Sequence, residues 1–433
     1  MKALKVLLIG MVVLGFTLPA FAAHVDDDPG WRFNIDTVRY RFDWEIASAF
    51  DESGDTVEFM DDDFDTTWSF QRGGDLTIFF DFEVADSNLG DDVDPQGSYA
   101  DALGGYAAIW TPEAMADSEF TLTVGDFGTG FGKAINNDDS PHGSIGVAWK
   151  MGNASMVLEY GRTYEGDTND DVEGDGHLVR GQVHMPLGES GFNVGAYAAM
   201  YSQTDVLIQE ATEATVEPGD ANVPVIVPGA PAIQGDQSAF IGALEMSGSM
   251  GNVSVYSEAS FLTGTQDFPS GDAAFERDLS GFYIMGGATF NVGQITLGVE
   301  GGFSPGDDDP DDDEVADFTR VNSDFWIGQI LHDEGLIVNS VGQDGGIANL
   351  IYVQGSASMS PSEKLSLSGN AVYLAPVEEV GEVDTYGFEL FGDVSYQLGD
   401  YVKYVLYYGF AFPDENFIDE TLYQITNRLE FAF

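Results

Sequence analysis

Apolar residues alternate with polar or small ones at period two along most of this chain, as they do in strands with one face on each side of a sheet. Between Thr385 and Leu398, one face carries Tyr386, Phe388, Leu390, Val394, Tyr396 and Leu398, with Gly392 among them. The other carries Gly387, Glu389, Phe391, Asp393, Ser395 and Gln397. After a tight turn at Gly399-Asp400 the apolar face resumes with Val402, Tyr404, Leu406, Tyr408, Phe410 and Phe412. Leu76, Ile78, Phe80, Phe82 and Val84 alternate in the same way with Thr77, Phe79, Asp81 and Glu83.

A water-soluble sandwich alternates too, but three features favour a barrel that crosses a membrane. The segments run ~10 residues or more, the length a tilted strand needs to span a bilayer. The polar face is rich in Gly, Ser, Thr, Asn and Gln, as a wet lumen would be. Tight turns and long loops also take strict turns along the chain. Short turns fall at Arg72–Asp75, Pro112–Ser118, Gly152-Asn153, Gly188–Ser190, Ser249–Asn252, Gly293-Gln294, Pro361–Lys364 and Gly399-Asp400. Acidic or Gly/Pro-rich loops lie between them at 49–63, 87–102, 128–143, 164–176, 203–237, 264–278, 305–346, 377–384 and 413–420.

Eight turns and nine loops join 18 strands, an even number that places both ends on the periplasmic side. The expected fold is therefore all-β, a transmembrane antiparallel up-and-down β-barrel. Sixteen strands is the alternative, because the first strand slips phase. Trp31, Phe33 and Ile35 share one face, then Val38, Tyr40, Phe42, Trp44 and Ile46 take over. A β-bulge near Thr37 would reconcile the two halves. The outward series is almost free of charge. Its exception, Arg162, sits at a strand end where a long side chain can snorkel. Trp44, Tyr106, Trp110, Trp149 and Tyr160 near strand ends suit aromatic girdles.

The two ends of the chain add compartment signals. Lys2 and Lys5, an apolar run from Val6 to Leu18, Pro19 and then Ala20-Phe21-Ala22 predict a secretory signal peptide over 1–22. Ala23 is the alternative cleavage point. Residues 23–433 then form one barrel domain with long acidic extracellular loops. No later segment reaches the ~18 consecutive apolar residues of a spanning helix. The sequence contains 0 Cys, which excludes disulfides, thiolate catalysis and Cys-ligated metals. At the other end Tyr423, Ile425, Asn427, Leu429, Phe431 and Phe433 alternate outward to the last residue. This resembles the aromatic-terminated strand by which outer-membrane proteins are read by the barrel assembly machinery, with Leu429, Phe431 and Phe433 as the signal. Arg428 stands where that motif frequently has Gly.

Taken together, the pattern resembles the porin superfamily of the Gram-negative outer membrane. The resemblance implies passive diffusion of small hydrophilic solutes and ions through a water-filled lumen, in a homotrimer surrounded by lipid and lipopolysaccharide. In many porins the third loop folds into the barrel as a constriction. Here that loop is GTGFGKAINNDDSPHG, 128–143, which makes Phe131, Lys133, Asp138 and Asp139 the constriction candidates. An ordinary Gly-rich surface loop is the open alternative.

Alternation also turns charged residues inward. Arg39, Arg41, Lys150, Arg180, Lys403 and Arg428 would share the lumen with Glu45, Glu83, Glu159, Glu258, Glu300, Glu389, Asp393 and Glu430. Opposed rows would create a transverse field, whereas pairing between neighbouring strands would cancel it. The second arrangement is the expected one for any given pair.

Net charge is −59, from 74 acidic and 15 basic residues, and such a surface repels nucleic acid. A negative mouth concentrates cations, so a cation-preferring pore is expected. The loop 304–317 holds eight carboxylates. Asp307, Asp308, Asp309, Asp311, Asp312 and Asp313 are its candidates for loosely bound Ca²⁺ or Mg²⁺. They lack the ordered spacing of an EF-hand, and no other cofactor is indicated.

Enzymatic signals are poor. His177 and His184, seven apart on one strand, face opposite sides. No His-Ser-acid set has suggestive spacing, and His142 near Ser140 and Asp139 is the one rim candidate. The expectation is not an enzyme. Two other readings stay open: a substrate-specific or export channel, and a structural or adhesive barrel whose loops 203–237 and 305–346 bind a surface partner.

Overall fold

The computed structural model describes residues 31–48, 56–73, 75–86, 105–126, 131–133, 144–164, 175–209, 215–218, 224–227, 233–268, 275–306, 314–316, 318, 327–332, 347–379, 383–414, 416–418 and 420–432. The segment 1–22 lies outside them. Nine strands open the barrel: β1 (Trp31–Ser48), β2 (Thr56–Arg72), β3 (Leu76–Asp86), β4 (Gly105–Trp110), β5 (Thr121–Asp126), β6 (Ser144–Met151), β7 (Ala154–Tyr164), β8 (Asp175–Pro186) and β9 (Phe192–Gln209). A small hairpin, β10 (Thr215–Pro218) and β11 (Pro224–Val227), interrupts the next loop. The wall resumes with β12 (Ile233–Met250), β13 (Val253–Phe268), β14 (Phe275–Val292) and β15 (Ile295–Ser304). After the two-residue β16 (Glu314–Val315) come β17 (Leu350–Ser362), β18 (Leu365–Ala375), β19 (Gly387–Gln397), β20 (Val402–Pro413) and β21 (Leu422–Ala432).

Each wall strand pairs antiparallel with its neighbours in sequence, and β21 returns to β1 from Arg39↔Ala432 to Ala47↔Gln424. The result is a closed barrel of 18 strands. β10 and β11 pair only with each other, and β16 lies parallel against β14 at Asp278 and Leu279. The phase slip in β1 is a bulge. Ile35 faces Trp68 and Thr37 faces Thr67, so Asp36 is the extra residue. All eight short turns fall where the alternation places them.

The loops are shorter than composition suggests. The stretches 49–63, 203–237 and 264–278 read as loops because they are acidic, yet β2 begins at Thr56, β9 extends to Gln209 and β12 starts at Ile233. β13 likewise runs to Phe268 and β14 begins at Phe275. A ladder is held by backbone N–H and C=O groups, so polar side chains do not end it where the apolar belt ends.

Outside, large apolar side chains are exposed around the wall. They include Ile145, Leu158, Val179, Met200, Leu244, Phe261, Ile284, Leu297, Val353, Leu390 and Phe410, with Leu244 at 64%. An apolar surface continuous around a closed barrel is a lipid-facing surface. Trp44, Tyr106, Trp110 and Tyr160 are exposed on it. Among the described residues, Tyr386, which alternation places outward, turns inward instead. Gly387 takes φ +125, a conformation an L side chain resists, and this flips the phase just before β19. Tyr386 is therefore buried, edge-to-face on Phe417 with centroids 5.1 Å apart.

The buried apolar cluster lies inside the barrel. Inward residues of β12–β18 such as Ile241, Leu262, Leu279, Met285, Leu350 and Leu374 pack against Phe131, Phe318, Ile327, Ile330, Leu331 and Ile347 from the loops. The inner face is therefore not polar throughout. Where loop segments enter the lumen, the wall facing them includes apolar side chains, which have chain to pack against rather than water.

Candidate functional site

Among the described residues, two of the loop segments that enter the lumen are each held by a glutamate of the wall. The first is 131–133, between β5 and β6. Phe131 is buried against His184 of β8 and Tyr197 of β9, with ring centroids 5.3 and 5.2 Å away. The Lys133 backbone N–H donates to Glu258 Oε2 of β13 at 2.6 Å. Its ammonium donates to Glu300 Oε2 of β15 at 2.5 Å and to the Tyr256 hydroxyl at 3.1 Å, and lies 4.8 Å from that ring's centre. The hydroxyls of Tyr256 and Tyr352 also donate to Glu300, and that of Tyr283 donates to Glu258. Gly132, with φ +62, passes so close to the Glu258 carboxylate that a Cβ would collide with it. Beside this cluster His184 Nδ1 sits 2.9 Å from Glu245.

The second segment is 327–332, from the long loop between β15 and β17. Ile327, Ile330, Leu331 and His332 are all buried. A buried turn needs acceptors for its backbone N–H groups, and Glu389 of β19, itself 0% exposed, supplies them. Its carboxylate accepts from the amides of Gln329 at 2.6 Å, Ile330 at 3.1 Å and Leu331 at 3.1 Å. From the same turn Gln329 Nε2 donates to Gln424 Oε1 at 3.0 Å, and Gln424 Nε2 donates to Glu45 Oε1 at 2.9 Å. Thr426 donates to the other oxygen of Glu45 at 2.6 Å. This relay joins the inserted turn to the seam between β1 and β21.

The remaining wall charges pair with near neighbours. Arg39 donates to Asp65 at 2.6 Å through Nε. Register partners Glu159 and Arg180 form a buried pair at 2.8 Å. Arg428 forks onto Asp43 across the seam, and Lys403 stands 3.8 Å from Glu430. Lys150 is exposed at the short-turn end and reaches Glu119 of the neighbouring turn at 2.6 Å. Arg41 is half-buried on the inward face of β1. Opposed rows of free charge, the other arrangement the sequence allows, are therefore not what these pairs form.

No protein-family model matches the chain, and no curated protein matches it in sequence. Its backbone does match solved structures. A crystal structure of OpdF from Pseudomonas aeruginosa in complex with glucuronate aligns with TM-score 0.57 at 13% identity, covering 94% of this chain and 98% of that one. A BenF-like porin from Pseudomonas fluorescens aligns with TM-score 0.56 at 12% identity, over 93% and 98%. The outer membrane protein OpdK from Pseudomonas aeruginosa aligns with TM-score 0.55 at 11% identity, over 92% and 97%. The chain has the porin fold.

Within this porin barrel, Phe131 and Lys133 lie in the lumen, while Asp138 and Asp139 are outside the described residues. So are Asp307, Asp308, Asp309, Asp311, Asp312 and Asp313. Among the described residues no group of three or more His, Asp or Glu side chains is arranged to hold a metal ion. His177 is exposed and bonded to Tyr160, whereas His184 is in the lumen. Leu429 and Phe431 face outward on β21, paired with Phe42 and Tyr40 of β1, and Phe433 is outside the described residues.

Sequence reasoning places Glu389 in the lumen without its role, and misses the tyrosines around Glu258 and Glu300. One signal for the second insertion was available. Phe-Trp-Ile-Gly-Gln-Ile-Leu at 325–331 is an apolar run inside an acidic loop, and such a run seeks burial.

Proposed function

We propose that this chain is an outer-membrane porin whose water-filled lumen passes small hydrophilic solutes and ions, with a preference for cations. The observation that carries the cation preference is how the lumenal charges are held. Arg39, Lys133, Arg180, Lys403 and Arg428 are each matched to a carboxylate. Glu45, Glu389 and Asp393 instead accept from amides, backbone N–H groups and hydroxyls, donors that carry no positive charge. Together with a net charge of −59, this leaves a negative field along the path and at its mouth.

A planar bilayer under a KCl gradient tests both parts of the reading. Stepwise conductance with a reversal potential on the potassium side is the expected result. Chloride-dominated current sinks the cation preference, and no conductance from a folded barrel sinks the pore.

A substrate-specific channel is the second reading, favoured by the two inserted segments that fill part of the lumen with packed side chains. Saturable block by one solute in the same recordings would distinguish it from a general pore. The solved neighbour that holds glucuronate belongs with this reading, since the backbone alone is shared.

A further inference from the structure

We infer that Glu389 and Glu258 are positioning residues that set the aperture of the pore, each by fixing an inserted turn through its backbone amides. This rests on the channel reading above. The two anchors have the same construction from unrelated stretches of sequence. In each, a buried wall carboxylate accepts from the amide that follows a glycine: Lys133 after Gly132, and Gln329 after Gly328. In each, the glycine makes the approach possible. A Cβ on Gly328 would stand 2.6 Å from Glu389 Oε2, and one on Gly132 would collide with the Glu258 carboxylate.

The chemistry suits a fixed stop rather than a loose loop. A carboxylate accepting several N–H groups in a buried setting makes charge-assisted bonds, roughly twice as strong as neutral ones. Glu389 takes three from consecutive residues, so it fixes the turn's orientation as well as its depth. Such bonds read the backbone, while Ile330 and Leu331 of the same turn are buried in the lumenal cluster. Gln329 extends the hold to Gln424 and Glu45, so that the turn spans from β19 to the seam. On the other side, Lys133 reaches from the loop after β5 to β13 and β15. The first turn thus crosses to strands far around the wall, the second spans from its own loop to β19 and the seam, and on the channel reading the space they leave is the path for a solute.

Two measurements on the full chain test this, and two routes break each contact. Hydrogen exchange in lipid nanodiscs reads the anchor without any need for conduction. The amides of Gln329, Ile330 and Leu331 are expected to be protected in the parent protein and to exchange faster in Glu389→Gln and Gly328→Ala. Unprotected amides in the parent protein overturn the inference even if the channel conducts.

Unitary conductance and the solute cut-off from liposome swelling read the aperture. Glu389→Gln, Gly328→Ala, Glu258→Gln and Gly132→Ala are each expected to shift conductance and cut-off upward, and Glu389→Gln with Glu258→Gln further than either alone. The heat-dependent gel mobility of a closed barrel confirms that each variant is folded. Unchanged or lower conductance from folded variants overturns the inference. Absence of conductance in the parent protein overturns the channel reading, while the exchange result still decides the anchors.

Discussion

Asp43 and Arg428 face each other where the first and last strands close the barrel, and they are joined by a forked ion pair. The guanidinium donates through Nε at 2.8 Å and Nη2 at 2.6 Å, and stacks 5.0 Å from the ring centre of Tyr407. They are register partners, so the side chains need no reach. The motif position where Gly is frequent has been used here to pin the seam.

Arg428→Met should therefore destabilise the barrel by about 1–3 kcal/mol, because a partly buried carboxylate loses its charged donors. Arg428→Lys should recover only part of that, since an ammonium lacks the planar fork. Urea unfolding from lipid vesicles measures both. Equal stability of the parent protein and Arg428→Met would show that the seam does not depend on this pair.

Glu159 and Arg180 test the same interaction at full burial, with side chains 1% and 3% exposed. Removing one partner strands a charge in a low-dielectric site, at a cost of about 3–5 kcal/mol. Arg180→Met should thus be the more damaging change of the two arginines. The double change Glu159→Leu with Arg180→Leu should recover much of the loss, because apolar replacement of both partners removes the stranded charge. A double-mutant cycle in urea supplies the coupling, and a value near zero would contradict the burial argument.

The sidedness of the wall gives a third test. Val299 points outward from the middle of β15, and Gln354 points inward from the middle of β17. An arginine at the bilayer midplane costs about 2–4 kcal/mol. Val299→Arg should lose that much stability in vesicles, whereas Gln354→Arg, in the polar lumen, should lose far less. Equal costs would contradict the assigned sidedness, and a larger cost for Gln354→Arg would mean that the inside and outside of the barrel have been exchanged.

How far the sequence carried this picture depended on what kind of force set each feature. The strand count, the eight tight turns and the bulge at Asp36 follow from side-chain alternation and turn chemistry, which are local and printed in the order of residues. Strand ends such as Thr56 and Gln209 lie inside stretches that composition marks as loop, because backbone pairing continues past the point where side chains turn acidic. The inward turn of Tyr386 is hidden from the alternation, which says nothing about the φ of Gly387. The inward direction of Glu258, Glu300 and Glu389 was legible, but their partners were not. Lys133 is 125 residues from Glu258 and 167 from Glu300, and Gln329 is 60 from Glu389. Contacts across a lumen depend on where the loops come to rest, and no periodicity encodes that.

Lys133 and Glu300 offer the most direct test of how those contacts shape permeation. The lysine side chain is 51% exposed and the glutamate 19%, so the pair faces the aqueous path while its carboxylate is still held by Tyr256 and Tyr352. Lys133→Met removes the one cation on Glu300 and leaves its tyrosine donors in place, so the local field turns more negative. Cation preference should rise, seen as a larger reversal potential under the same KCl gradient. Glu300→Gln removes the anion and leaves Lys133 uncompensated, and the preference should fall. Screening sets the conditions for the comparison. The Debye length is about 8 Å at physiological ionic strength and about 3 Å at 1 M. The three proteins should therefore differ in dilute salt and converge in concentrated salt. Because Glu258 still holds the Lys133 backbone amide, neither change releases the turn, and unitary conductance in concentrated salt should stay close to that of the parent protein. A large conductance change there would mean that the ion pair, rather than the Glu258 anchor, holds the loop. Identical reversal potentials in dilute salt would mean that ions do not pass within reach of this pair.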